Sequence, residues 1–146
     1  MKKLRKTRVR IVELRRPSNS KRGRIKYNGK EPLPHEKRTI KCLASYGFDI
    51  ETIIPSNVPG SKNPDILMMG TFWEMKGPIS HNKNTIKNRF KKAIKQADGK
   101  AVFNLRNVEY DVNAVEKTIM DLFITTIGMR RILIIKKSNK ILDIIK

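Results

Sequence analysis

The sequence predicts an α/β fold of the α+β type, with a mixed sheet. Its elements run helix, three strands, helix, strand, and then a further helix and two strands. Two observations carry this. The segments NTIKNRFKKAIKQADG and DVNAVEKTIMDLFITTIG space their apolar residues at helical intervals between a capping residue and a glycine. Between and after them, short runs of Ile, Leu and Val give the pattern of strands. The 146 residues, 38 % of them apolar, suffice for one domain with a core.

Residues 1–30 carry no sustained helical stripe and are expected to form a basic amino-terminal arm, with TRVRIVEL as an edge strand and RPSNSKRGR as a turn or loop. The domain proper is expected over residues 31–146. Its first helix begins near Pro32 and Pro34, presents Ile40, Leu43 and Ala44, and stops at Gly47. FDIETII alternates as a strand, and PSNVPGSKN is a loop. PDILMM and TFWEMKG read as two strands joined by a turn at Gly70-Thr71, because a leading glycine suits a tight turn. In the second helix Ile86, Phe90 and Ile94 form a stripe opposite an almost wholly basic face, and Gly99 ends it. AVFNL is a buried strand. A helix from a capping Asp111 to Gly128 follows, and RRILIIKK and KILDII close the chain around a Ser-Asn turn.

One cysteine, Cys42, excludes an internal disulfide framework and a Cys-based structural zinc site. No apolar run approaches the length of a membrane span, and the basic amino terminus lacks the apolar stretch of a signal peptide. Membrane insertion and a secretion address of the chain's own are therefore not expected. Net charge is +20, and it is uneven. Residues 1–41 hold sixteen Lys and Arg against three Glu, a net +13, whereas the rest hold seventeen against ten, a net +7. Such a chain attracts polyanions, with nucleic acid first among them.

Within that basic background, Asp65, Glu74 and Lys76 stand in the hairpin NPDILMMGTFWEMKGP. Acidic residues are poor strand formers, and a sheet interior is an expensive place for charge. With a turn at Gly70-Thr71, Asp65 lies opposite Lys76 and Leu67 opposite Glu74, so all three charged groups project from one side. Two carboxylates at close quarters repel unless a proton or cation lies between them. Oxygen-only ligation by Asp65 and Glu74 suits Mg²⁺ or Mn²⁺ with a substrate phosphate completing the shell, and a lysine beside the ion assists the attacking water. This is an arrangement for hydrolysing a phosphodiester. The competing reading is a cross-strand salt bridge between Asp65 and Lys76, with Glu74 in solvent.

Pro64-Asp65 followed by Glu74-Met75-Lys76 resembles the signature of the PD-(D/E)XK nuclease superfamily, and the αβββαβ order from Pro34 to Leu105 resembles its core. From about Tyr27 onward, NGKEPLPHEKRTIKCLASYGFDIE, PDILMMGTFWEMKGP, NTIKNRFKKAIKQADG and FNLRN are similar to the C-terminal tRNA-cleaving domains of bacterial contact-dependent growth-inhibition toxins. The resemblance implies a metal-dependent endoribonuclease acting on tRNA. Asp65 and Glu74 would be its acidic metal or catalytic positions, Lys76 its catalytic lysine, and Glu36 a further acidic residue. It also implies an acidic immunity protein as partner, and delivery into the cytoplasm of a target cell. The known toxins are tails of long exported proteins, whereas this sequence opens on Met1 and a basic arm, so it reads as an excised domain or a free-standing relative. Glu36 sits one turn before Ile40, toward the sheet edge; a helix-dipole role at an amino terminus explains it as well.

Lys87, Lys91, Lys92 and Lys95 lie along the polar side of the second helix and are expected to bind phosphates, against the alternative of a solvated face. His35 and His81 read as ordinary residues of their segments, Trp73 as core, and Asn82, Asn84 and Thr85 as helix-capping positions. Two other functions fit the same residues: a structure-specific, resolvase-like DNA endonuclease, and a nucleic-acid-binding module on an inactive nuclease fold. Oligomeric state leaves no mark in the sequence.

Overall fold

In the computed structural model, which describes residues 8–77, 82–109 and 111–146, eight strands form one mixed sheet in the order β1-β8-β7-β6-β5-β4-β3-β2. The strands are β1 (Arg10–Glu13), β2 (Ile25–Lys26), β3 (Ile50–Thr52), β4 (Ile66–Met68), β5 (Thr71–Lys76), β6 (Lys100–Asn104), β7 (Arg131–Ile135) and β8 (Ile141–Ile145). The helices are α1 (Pro34–Ser45), α2 (Lys83–Ala97) and α3 (Val112–Thr125). From α1 onward this is the expected order, element for element.

The helices begin and end where side chains can satisfy their open backbone groups. Asn82 accepts from the Asn84 amide at 2.8 Å and Asp111 from the Asn113 amide at 3.0 Å, each an N-cap. At the other end of α2, Asp98 and Gly99 take the left-handed conformation and release the chain into β6. Pairing is antiparallel from β3 through β5 and parallel from β5 through β7. Parallel neighbours need crossovers, and α2 and α3 supply them. Both pack on one face, where Ile86, Phe90 and Phe123 meet Ala101, Phe103 and Ile132. On the opposite face α1 sets Ile40 and Leu43 against Ile66, Trp73, Val102 and Leu133. No helix among the described residues is long and apolar enough to cross a membrane.

The hairpin differs from expectation in its register. The pairs are Ile66 with Trp73, Leu67 with Phe72 and Met68 with Thr71, so the turn residues are Met69 and Gly70 rather than Gly70 and Thr71. Both have positive φ, 53° and 71°, the requirement of a type I′ turn, whose twist matches that of the strands. The pairing shifts by two residues, so every side chain keeps its face. Asp65 lies just before the paired residues rather than opposite Lys76, and its amide donates to the Trp73 carbonyl at 3.1 Å.

In the amino-terminal segment, β1 pairs with β8 at one edge of the sheet and β2 with β3 at the other. The link from Glu13 to Ile25 runs from one edge of the sheet to the other and includes a 3-10 turn at Asn19–Lys21. It passes the carboxyl end of α1, where the Gly23 amide donates to the Ala44 carbonyl at 2.8 Å and Arg16 lies over the Tyr46 ring. A Cβ on Gly23 would fall 1.8 Å from the Phe48 carbonyl oxygen. Gly23→Ala is therefore expected to destabilise the chain by roughly 1–3 kcal/mol, read as a lower urea midpoint at unchanged slope.

Candidate functional site

Strand β5 alternates faces with period two, so burying Trp73 and Met75 beneath α1 aims Glu74 and Lys76 at the α2 side. Glu74 is only 1 % exposed, and neither of its carboxylate oxygens meets a hydrogen-bond donor. The charge is thus inside the protein, which excludes Glu74 as a solvated bystander. The ion pair that forms runs from the Lys76 amine to Glu74 at 4.0 Å, and no Asp65–Lys76 bridge is present among the described residues. Asp65 is fixed from the neighbouring strand, its Oδ2 accepting from the Met75 amide at 2.7 Å. Gln96 on α2 accepts from the Asn63 amide and so ties the loop before Pro64-Asp65 to that helix.

A cleft of about 430 Å³ opens beside these groups, beyond the carboxyl ends of β5 and β6. Asp65, Met75 and Lys76 line it from the hairpin, Glu36 and Thr39 from α1, and Arg89 from α2. Its back is braced by the Asn104 amide group, which donates to the Thr39 hydroxyl at 2.8 Å. Open α/β sheets commonly bind ligands beyond the carboxyl ends of their strands, where the chain departs to opposite faces. Here α1 covers one face and α2 the other.

The predicted residues do not all converge. Asp65, Glu36 and Lys76 line the cleft, and Glu74 lies buried beside them. One Glu36 oxygen is engaged at 3.0 Å by the Leu33 amide, so the residue caps α1 as well as facing the cleft. Lys87, Lys91, Lys92 and Lys95 are all exposed and none lines the cleft, although Lys92 acts electrostatically on both Glu74 and Lys76. His35 lines it; His81 lies outside the described residues. Arg89, Asn104 and Thr39 were not singled out from sequence. Arg89 is one of six basic residues on α2, and only its place one turn after Thr85, on the flank of the buried stripe, sets it apart.

Desolvation first and the Asp65 charge second raise the Glu74 pKa from 4.5 to about 7. Burial, and then the Lys92 charge, push Lys76 below the usual lysine range. Each shift disfavours the charged form of its group, and a perturbed acid and amine side by side are a common mark of a functional site. Two carboxylates with free oxygens are a chemically suitable donor set for a hard divalent ion. No group of three or more His, Cys, Asp or Glu gathers as a metal cluster among the described residues, so protein ligation would rest on two side chains, with water and substrate oxygens completing the shell.

The raised Glu74 pKa has a consequence for stability. Between about pH 4.5 and 7 the folded chain retains a proton that the unfolded chain has released, so stability falls as pH rises through that window. Glu74→Gln is expected to remove this dependence. In metal-free buffer at pH 8 the variant should exceed the parent by on the order of 2 kcal/mol, and the gap should close below about pH 5. Chemical denaturation across pH checks it.

Comparison with known proteins follows from this geometry. No curated protein matches the chain. Among solved structures it is similar to a chain from the CdiA-CT/CdiI toxin and immunity complex from Burkholderia pseudomallei, with TM-score 0.63 and 22 % identity over 85 % of this chain and all of that one. At that identity the likeness establishes the fold. Residues 62–141, more than half the chain and nearly all of the cleft-forming hairpin, helix and parallel strands, match the contact-dependent growth inhibition CdiA C-terminal domain, and this chain belongs to that family.

Proposed function

We propose that the chain is a PD-(D/E)XK-type endonuclease that hydrolyses phosphodiester bonds of RNA, with tRNA as the substrate, and acts as a toxin delivered into the cytoplasm of a target cell. The observation that carries this reading is the buried Glu74 carboxylate, held without a donor beside Asp65 and Lys76 in a chain of net charge +20. A fold has no stability reason to keep such a group, since desolvating it costs several kcal/mol in round terms. A polyanionic substrate and its counter-ion give it one.

In this mechanism Asp65 and Glu74 would hold Mg²⁺ or Mn²⁺, and the ion would supply Lewis-acid polarisation of the scissile phosphate. Lys76, the cation of the pair with Glu74, hydrogen-bonds the attacking water and the phosphate. As the new phosphorus–oxygen bond forms, the bond to the leaving ribose oxygen breaks, the water's proton passes to solvent and the leaving oxygen is protonated from solvent. Glu36 orients that water from the rim of the cleft. Lys92 adds positive charge close by, and Lys87, Lys91 and Lys95 hold the flanking backbone through long-range attraction. The similar Burkholderia chain was solved with an immunity protein. By analogy, an acidic immunity protein is the natural antagonist here, because the surface it must cover is strongly basic.

The test is to incubate the protein with total tRNA and, separately, with linear and branched duplex DNA, each with Mg²⁺ and with EDTA. Discrete tRNA fragments are expected, with loss of cutting in EDTA. Glu74→Ala and Lys76→Ala should each lower turnover by roughly 10²-fold or more while tRNA binding changes by less than about tenfold. Cutting confined to DNA would keep the chemistry and overturn the substrate, and tight binding without cutting of either polymer would overturn the enzyme.

A further inference from the structure

Arg89 is the feature of the cleft that a carboxylate–lysine site leaves unexplained. It stands on the flank of α2 beside the buried residues Ile86, Phe90 and Ala93, and its side chain enters the cleft that Asp65 and Lys76 also line. Its Nε is buried and has no acceptor among the described residues. A guanidinium stays charged at every physiological pH and presents donors in a fixed planar fork. Leaving one of those donors buried and unsatisfied works against the fold. The acidic residues of the cleft do not relieve it. Asp65 accepts from the Met75 amide, Glu36 from the Leu33 amide, and Glu74 pairs with Lys76, while Arg89 forms no ion pair among the described residues. The cation is therefore presented to the cavity rather than spent on the fold. Lys76 lines the same cleft and is a second cation there, and a volume of about 430 Å³ suits one nucleotide unit rather than a duplex.

We propose that Arg89 grips a phosphate of the bound strand, the one adjacent to the scissile bond, through the two-pronged contact its fork allows. The assignment of that phosphate to a nucleic acid rests on the nuclease reading above; the anion site itself rests on the buried donor and the cleft. The lysines of α2 then attract the polymer at a distance, and Arg89 sets its register in the cleft.

Arg89→Met and Arg89→Lys test this with adenosine 3′,5′-bisphosphate as probe, measured by titration calorimetry, and with tRNA binding measured across salt. Arg89→Met should keep or raise the melting temperature, because an unsatisfied donor is removed. It should also weaken the bisphosphate by about 10- to 100-fold and flatten the slope of log affinity against log salt for tRNA by about 0.7. Arg89→Lys, which keeps the charge but not the fork, should retain the slope and lose part of the affinity. Unchanged bisphosphate affinity in Arg89→Met overturns the site, as does a large fall in melting temperature joined to wild-type affinity in Arg89→Lys. The two readings separate cleanly. Cleavage of tRNA with no role for Arg89 sinks this inference alone. Arg89-dependent bisphosphate binding by a protein that cuts nothing sinks the nuclease and leaves the anion site.

Discussion

The period-two alternation of β5 is the constraint on which both core and cleft depend. Trp73 and Met75 must lie under α1, and that fixes Glu74 and Lys76 on the other side. A slip of one residue would drive Glu74 into the cluster around Ile40 and Leu43 and take Trp73 out of it. Burying a large aromatic side chain stabilises by roughly 2–3 kcal/mol, the same order as the desolvation penalty on one carboxylate. The alternation can thus hold an unsatisfied charge in place without help from that charge. Strand β6 is fitted to the arrangement. Ala101, the small residue facing Glu74 in register, leaves room beside the carboxylate, whereas Val102 faces Met75 and fills the core.

Much of this was legible because the relevant signals are local. Asn82, Asp111 and Gly99 mark helix boundaries within one turn of the groups they satisfy, and Ile86 and Phe90 announce their stripe at a spacing of four. Asp65, Glu74 and Lys76 stood out as charge inside strand-like runs, and their shared face survived an error in the turn because the register moved by two. The turn is the exception: a glycine suits its first position, yet the chain puts Met69 there at positive φ and Gly70 second. What was not legible depends on distance along the chain. Ile11 pairs with Ile144, and Asn104 meets Thr39, each across dozens of residues that carry no local trace of the partner. Arg89 was hidden for a different reason. In a helix with six basic residues, composition says that the surface is positive but not which cation the fold has turned inward.

That distinction separates two uses of charge. Exposed lysines such as Lys87 and Lys91 act through a field that salt screens within about 10 Å, which suits capture of a polyanion and little else. Lys76 and Arg89 sit where water is partly excluded, so their interactions are shorter in range, stronger, and dependent on geometry. A net charge of +20 therefore says little about specificity. The discriminating groups are few, and each is held by backbone or by packing: Asp65 by the Met75 amide, Glu36 by the Leu33 amide, Arg89 by a helix whose neighbouring residues are core.

A cleft with an unsatisfied carboxylate and an unsatisfied guanidinium is a local destabilisation, and the remainder of the sheet compensates for it at a distance. Arg131 and Asp143 close a bidentate pair at 2.7 and 2.9 Å above Trp73, on the α1 face of the sheet. The two edge strands are short and carry charged residues, which discourages pairing with other chains. Arg106 joins the end of β6 to α1 through the Arg38 carbonyl and to the β7–β8 turn through Asn139, which ties the strand beside the cleft to both neighbours. Such bracing suits a site built from a long Lys76–Glu74 ion pair and a guanidinium with one buried donor unused, because those groups must keep their positions until a substrate supplies better partners.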